Sequence, residues 1–409
     1  MPSCLMIVEN LPLPLDRRSW QEATALRDAG WEVTVICPAT ERHPEREIVI
    51  DGIRVYRHPL PLEASGALGF LLEYGAALFH ETRLAFKVFR RHGFDVIHIA
   101  NPPDLLFLVA LPYKALGRPL IFDHHDICPE LYESKFKKRG PMHALLRLFE
   151  KLTFRFSDVV ISANETFKEL AINRGGKYPD DVFTVYGVPD LTKFKRVPKT
   201  DVEDTITVGY VGVMGAQDGV DNLIRAVAAL RNESGLPRFT CRFVGAGPEL
   251  ASLKALAQSL GVADVCQFTG FLSGEALLAA LSSFDIGVIP DPYDTYNDKI
   301  SMCKVFEYAT LGMPIVAFEL AETKRLLGDA ARYAPDHTPE GLASALAALL
   351  KDEYLRRNHA ERALERARTH FRWPDQVSSL LAAYDRALMR RAGRRASSGE
   401  ARTLRSERS

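Results

Sequence analysis

Short runs of β-branched and apolar residues recur along the chain, separated by stretches whose apolar positions repeat at helical spacing. In the first half these runs fall at 5–8, 33–37, 48–56, 96–99, 120–122, 159–162 and 182–186. They are continuously apolar rather than alternating, which is the pattern of strands covered on both faces, so a parallel sheet between helical layers is predicted. The stretch 188–202, with Pro189 and Pro198, interrupts the pattern and reads as a linker. A second series follows at 206–211, 241–244, 266–269, 286–289 and 315–318, with helices predicted over 223–231, 250–260 and 276–282. The chain therefore reads as α/β, with two Rossmann-like domains in tandem, 1–187 and 188–372. A terminal helix is predicted over 377–389, and the Arg, Ser and Gly-rich tail 392–409 is expected to be disordered. Ligands of such sheets bind beyond the carboxyl ends of the strands, so the two domains are expected to face each other across one shared cleft.

Length and charge narrow the function classes. A chain of 409 residues is too long for one ordinary core, in keeping with two domains. Zero formal net charge argues against a general nucleic-acid binder. The six cysteines are scattered with no C-x-x-C pair, which suggests neither a disulfide framework nor a zinc site and fits a reducing cytosol. No signal peptide is expected, and no segment approaches the roughly 18 uncharged apolar residues of a spanning helix.

Candidate chemistry concentrates in a few stretches. From 297 to 319 a polar loop leads into a short helix carrying Lys304 and Glu307 one turn apart, then breaks at Gly312 and Pro314 before an apolar strand. A helix start welcomes an anion, and a cation beside a hydroxyl-binding carboxylate suits phosphates next to ribose. A surface helix with a charge pair is the alternative. The strand at 206–211 runs into GVMGAQDG, where Gly212 and Gly215 allow close approach of backbone to phosphates, and VGAGPEL at 244–250 is expected to shape a cleft wall. In the first half, His98 and Asn101 stand near one strand end, and FDHHDICPE delivers Asp123, His124, His125, Asp126 and Glu130 to another, a crowding of charge expected of a site loop. Adjacent histidines point differently and no second ligand cluster is evident, so no metal is expected. Arg17 and Arg18, after Asp16, stand where they can steer or clamp a diphosphate, with a surface pair as the alternative. Between 70 and 91, Glu73, His80, Arg83, Lys87 and Arg90 recur on one helical face, and with KFKKRG at 135–140 they suggest contact with an anionic membrane surface, against the alternative of a helix packed on its own sheet.

Taken together, DRR at 16–18, FDHHDICPELY, NETFKELAINRGG at 164–176, GYVGVMGAQDGVD at 209–221 and KVFEYATLGMPIVAFE resemble a retaining glycosyltransferase of the large family four, with the GT-B fold. The group it looks most like builds bacterial surface polysaccharides on lipid-linked acceptors. The resemblance implies a nucleotide diphosphate sugar donor, a lipid-linked saccharide acceptor, no metal cofactor, and a final helix (373–391) that returns to the first domain. It assigns Glu307 to the ribose and His125 to the reacting sugar. The family's preceding glutamate, eight positions earlier, is replaced here by Lys299, and the Arg and Lys that many members carry after the second domain's first strand are Val213 and Asp218. Lys304, Lys299 and Arg17, with backbone N–H groups of Gly215, Ser301 and Met302, are then the expected diphosphate contacts, and Asp126 a substrate contact. A nucleotide-sugar epimerase on the same architecture and a non-catalytic assembly partner are the competing readings. The expected location is the cytoplasm, at the inner face of the cell membrane.

Overall fold

The computed structural model describes residues 1–59, 66–192, 194–199, 205–231 and 233–406, with side chains omitted over 66–74 and 393–406. Two compact units emerge. The first comprises Met1–Tyr132, Lys138–Gly187 and Pro374–Ser409; the second comprises Glu133–Lys137 and Val188–Trp373.

In chain order the first unit's elements are β1 (Ser3–Val8), α1 (Arg17–Asp28), β2 (Glu32–Pro38), β3 (Glu47–Ile50), β4 (Ile53–His58), α2 (Gly66–Arg91), β5 (Val96–Ala100), α3 (Phe107–Ala115), β6 (Leu120–His124), α4 (Cys128–Phe136), α5 (Pro141–Phe156), β7 (Val159–Ser162), α6 (Glu165–Asn173) and β8 (Val182–Thr184). Its sheet runs β3-β4-β2-β1-β5-β6-β7-β8 and is parallel except for the β3–β4 edge pair. The single run expected at 48–56 is in fact this hairpin. Asp51 (φ 48°) and Gly52 (φ 80°) form a two-residue turn with both residues left-handed, a geometry Asp-Gly favours.

The second unit contains β9 (Ile206–Val211), α7 (Val220–Arg231), β10 (Phe239–Val244), α8 (Leu250–Ser259), β11 (Cys266–Gly270), α9 (Gly274–Ser282), β12 (Ile286–Ile289), α10 (Cys303–Thr310), β13 (Ile315–Ala317), α11 (Ala321–Leu327), β14 (Ala331–Tyr333), α12 (Pro339–Lys351) and α13 (Glu353–His370). Its sheet is parallel throughout, in the order β11-β10-β9-β12-β13-β14. Strand order reverses between β9 and β12, and in the first unit between β1 and β5. Each reversal opens a crevice at the strands' carboxyl ends.

The last helix, α14 (Trp373–Ser406), joins the first unit. Tyr384 reaches His98, Gln376 accepts from the Tyr186 N–H at 2.9 Å, and Arg391 donates to Asp95 at 2.6 Å. The helix outruns the expected 377–389, and its backbone continues into the tail read as disordered, where Ala, Arg and Glu are good helix formers. Side chains beyond 392 and the last three residues lie outside the described residues. No helix among the described residues is long and apolar enough to cross a membrane.

Candidate functional site

In the second unit the site is built around α10. Every residue from Lys304 to Thr310 is buried, so this is no surface helix with a charge pair. Tyr308 anchors it from beneath: its hydroxyl accepts from the Val211 N–H at 3.0 Å, and its ring lies where a Cβ on Gly287 would stand 2.6 Å away. That seating carries Lys304 and Glu307 into the protein, 6 % and 5 % exposed. Lys304 Nζ lies 2.7 Å from Asp291 Oδ2 and 3.0 Å from Oδ1, and 4.8 Å from the centre of the Tyr210 ring. Asp291, just beyond β12, went unnoticed in the sequence.

The electrostatics of this pair are unequal. Burial, opposed by Lys304, pushes the Asp291 carboxyl up to about 6. Asp218 is likewise raised by burial despite Lys304 and the Gly215 N–H. Burial would lower Lys304, but Asp291 and Asp218 together raise it, so the amine stays charged. One cation is thus shared by two acids that hold protons more tightly than usual.

The glycine turn has a different local task from the one its spacing suggested. The Gly215 N–H, an expected phosphate donor, donates to Asp218 Oδ2 at 2.9 Å. Gly212 and Gly245 serve packing between turns: Gly245 has φ 141°, and a Cβ there would stand 1.8 Å from the Gly212 carbonyl oxygen. Asn297, 1 % exposed, closes the arrangement by donating from Nδ2 to the carbonyls of Gln217 (2.9 Å) and Pro292 (3.0 Å). Lys299 and Ser301 are half-buried in the loop before α10, with the Lys299 N–H bonded to the Tyr296 carbonyl. Met302 is the residue preceding the helix, in extended conformation and without a side-chain cap.

In the first unit the focus is Asp123 at the end of β6. It is fully buried, and it meets Arg18 Nη2 at 2.8 Å, His125 Nε2 at hydrogen-bond distance and His98 Nε2 at 3.4 Å. Burial would raise its carboxyl, but Arg18 and His125 hold it well below the usual range. An ionised Asp123 only accepts, so His125 directs an Nε2–H toward it, while His98 Nε2 approaches without a hydrogen bond. His98 Nδ1 lies 2.8 Å from the Tyr384 hydroxyl. Glu22 completes the group 3.1 Å from Arg18, its carboxyl raised by burial and by Asp123.

Asn101 sets the backbone of the loop. Its Oδ1 accepts from the N–H groups of His125 (2.8 Å) and Asp126 (3.1 Å), and its Nδ2 donates to the Asp126 carbonyl at 2.7 Å. Asp126 itself turns back to its neighbour, accepting from the Ile127 N–H. His124 faces the other way, 4.8 Å from the Phe167 ring, and burial brings its imidazole down to about 3. Arg17, the expected clamp, is exposed at the start of α1; Arg18 is the arginine drawn into the cluster. Arg18 with Glu22 one helical turn on was a visible signal of an inward-facing pair.

Two parallel α/β units, each presenting a buried ionic cluster at the carboxyl ends of its strands, define a GT-B glycosyltransferase. The chain belongs to that class by sequence: the family model described as glycosyl transferase 4-like domain matches residues 15–186, and the model described as glycosyl transferases group 1 matches residues 205–352. It is 26 % identical over 377 residues to the phosphatidyl-myo-inositol mannosyltransferase of Mycolicibacterium smegmatis, covering 89 % of this chain and 88 % of the relative. The same organism's GDP-mannose-dependent alpha-mannosyltransferase is 26 % identical over 387 residues, covering 91 % and 93 %. Among solved structures, sucrose-phosphate synthase from Thermosynechococcus elongatus shares the fold with a TM-score of 0.77 at 17 % identity, over 95 % of this chain and 100 % of that one.

Proposed function

We propose that this glycosyltransferase moves a sugar, with retained configuration, from a nucleotide diphosphate sugar to a hydroxyl of a lipid-linked saccharide. The observation that carries the reading is the buried Lys304 at the start of α10, with Glu307 one turn further on. The anomeric carbon–oxygen bond breaks as the acceptor oxygen bonds to the same face, and the leaving phosphate takes the acceptor proton. Negative charge therefore grows on the diphosphate, where Lys304 and the N–H groups opening α10 oppose it. Asp291 keeps the amine charged and in place while the site is empty of donor. Glu307 accepts from the ribose hydroxyls, and Lys299 replaces a sugar-binding carboxylate with a second cation. His125, fixed through Nε2 by Asp123, orients the reacting sugar. The two mannosyltransferase relatives support the donor and acceptor classes, one being GDP-mannose-dependent and the other a phosphatidyl-myo-inositol mannosyltransferase. Incubation with a panel of nucleotide sugars and a polyprenyl-diphosphate-linked saccharide tests the proposal. Transfer that needs both Lys304 and Glu307 is expected; full turnover in Lys304→Ala and Glu307→Ala alike contradicts the assignment.

The acceptor's lipid calls for work at a membrane surface, and α2 offers a suitable stripe. Phe79 and Phe86 are 65 % and 55 % exposed, interleaved with exposed Arg83 and Arg90 along the same side. Of the polar residues that suggested this face, Glu73 lies outside the described side chains, His80 stacks near His58, and Lys87 pairs with Glu47. Apolar rings between cations suit an interface of acyl chains and anionic headgroups. Flotation with anionic liposomes at low salt is expected to carry the protein upward, and Phe79→Ser with Phe86→Ser to reduce it; no flotation at all refutes the membrane role.

A further inference from the structure

A second buried cluster in the first unit has no part in the chemistry above. Glu9 follows β1, His58 ends β4 and Glu81 lies within α2, and the three are 8 %, 1 % and 0 % exposed. One ligating atom from each lies within 4.8 Å of the other two. Separations of 49 and 23 residues hide the grouping from any motif reading.

His58 decides what the cluster needs. Its Nδ1 lies 3.1 Å from the Pro59 carbonyl oxygen. A carbonyl only accepts, so Nδ1 holds a proton and Nε2 is the nitrogen available as a ligand. Nε2 stands 2.9 Å from Glu9 Oε2 without a hydrogen bond between them, and neither oxygen of Glu81 has a hydrogen-bond partner. Burial and the adjacent Glu9 raise the Glu81 carboxyl well above its usual value. Two buried carboxylates and an imidazole nitrogen that converge without hydrogen bonds form a cradle that a positive charge would fill. At the Asp123 cluster Arg18 supplies it, whereas among the described residues no Lys or Arg pairs with Glu9 or Glu81.

We propose that Glu9, His58 and Glu81 bind a divalent transition-metal cation. One imidazole and two carboxylates are a hard-to-borderline donor set suited to Mn2+ or Zn2+. With bonds of about 2.1 Å, ligands 2.9 Å apart subtend about 90° at the ion, the angle of an octahedral rather than a tetrahedral site. This favours Mn2+, with the second carboxylate oxygens able to fill further positions. The ion joins the end of β1, the end of β4 and the middle of α2, and so adds a link between the sheet and the helix that covers it.

The test uses the full chain, stripped with a chelator and titrated with MnCl2 while free Mn2+ is followed by electron paramagnetic resonance. A single tight equivalent is expected, with nitrogen coupling from one imidazole in the pulsed spectrum. Glu81→Gln and His58→Gln should each weaken binding by more than the roughly tenfold that losing a ligand's hydrogen-bonded neighbour costs. Absence of a tight equivalent in the wild type, bound Mn2+ without nitrogen coupling, or folded variants that bind as the wild type does would each overturn the site. The nitrogen coupling is read on unmodified protein and does not depend on any variant folding.

Discussion

Asp123 and Asp291 are both buried carboxylates beyond the end of a parallel strand, and each meets one long cation, yet their states are opposite. Asp123 lies between the Arg18 guanidinium and the His125 imidazole, with His98 close by, and is held ionised. Asp291 has the single amine of Lys304, shared with Asp218, and is pushed up to about 6. A fully met carboxylate makes a rigid mount, and His125 takes its orientation from it. A carboxylate only partly compensated is one that an incoming anion can displace, which suits the diphosphate contact proposed for Lys304.

The first way to break this comparison is Arg18→Ala, which leaves Asp123 without its main cation. Removing one partner of a buried pair costs about 3–5 kcal/mol, so urea unfolding should show a loss of that order. A loss below about 1 kcal/mol would mean that His125 and His98 suffice. Next in size, Lys304→Ala should lower transfer by about 10² to 10³ with the fold intact, as expected on removing one donor to a developing oxyanion, read from turnover at saturating donor. A smaller effect is expected from Gly245→Ala, where the left-handed backbone and the Gly212 carbonyl both exclude a side chain. A thermal melt should register a destabilisation of about 1–3 kcal/mol, confined to the unit that holds Lys304. An unchanged melt would show that the two turns can separate at little cost.

Much of the fold was legible because parallel strands write themselves as apolar runs, and the helix carrying Lys304 and Glu307 was found, though as a buried rather than a surface element. What stayed hidden has physical causes. Asp51 and Gly52 carried a clear turn signal, but the apolar residues on either side merged into one apparent strand. Buried charges such as Glu22, Glu81, His98 and Asp291 sit inside apolar stretches or at loop edges and reveal themselves only once their partners, up to 286 residues away for His98 and Tyr384, are brought together. The choice between Arg17 and Arg18 turned on helix phase at the first turn of α1, where a one-residue shift swings a side chain from solvent to core. Gly215 illustrates the converse: the turn was found, but its N–H already has an acceptor in Asp218.

The central claim, that Asp291 holds Lys304 for the donor's diphosphate, is tested most directly by the pH dependence of donor affinity. Nucleotide sugars such as GDP-mannose have no group of their own titrating near neutrality, so calorimetric binding can be followed from about pH 7.5 down to about pH 5. Asp291 is raised above the ordinary 3.8 to about 6. Protonation through that range therefore removes a competing negative charge while Lys304 keeps its own. Binding should tighten as pH falls through about 6, with proton uptake on binding, and Asp291→Asn should lose most of that slope, keeping only what Asp218 contributes. A wild-type affinity flat across this range, or a slope undiminished in Asp291→Asn, would contradict the account.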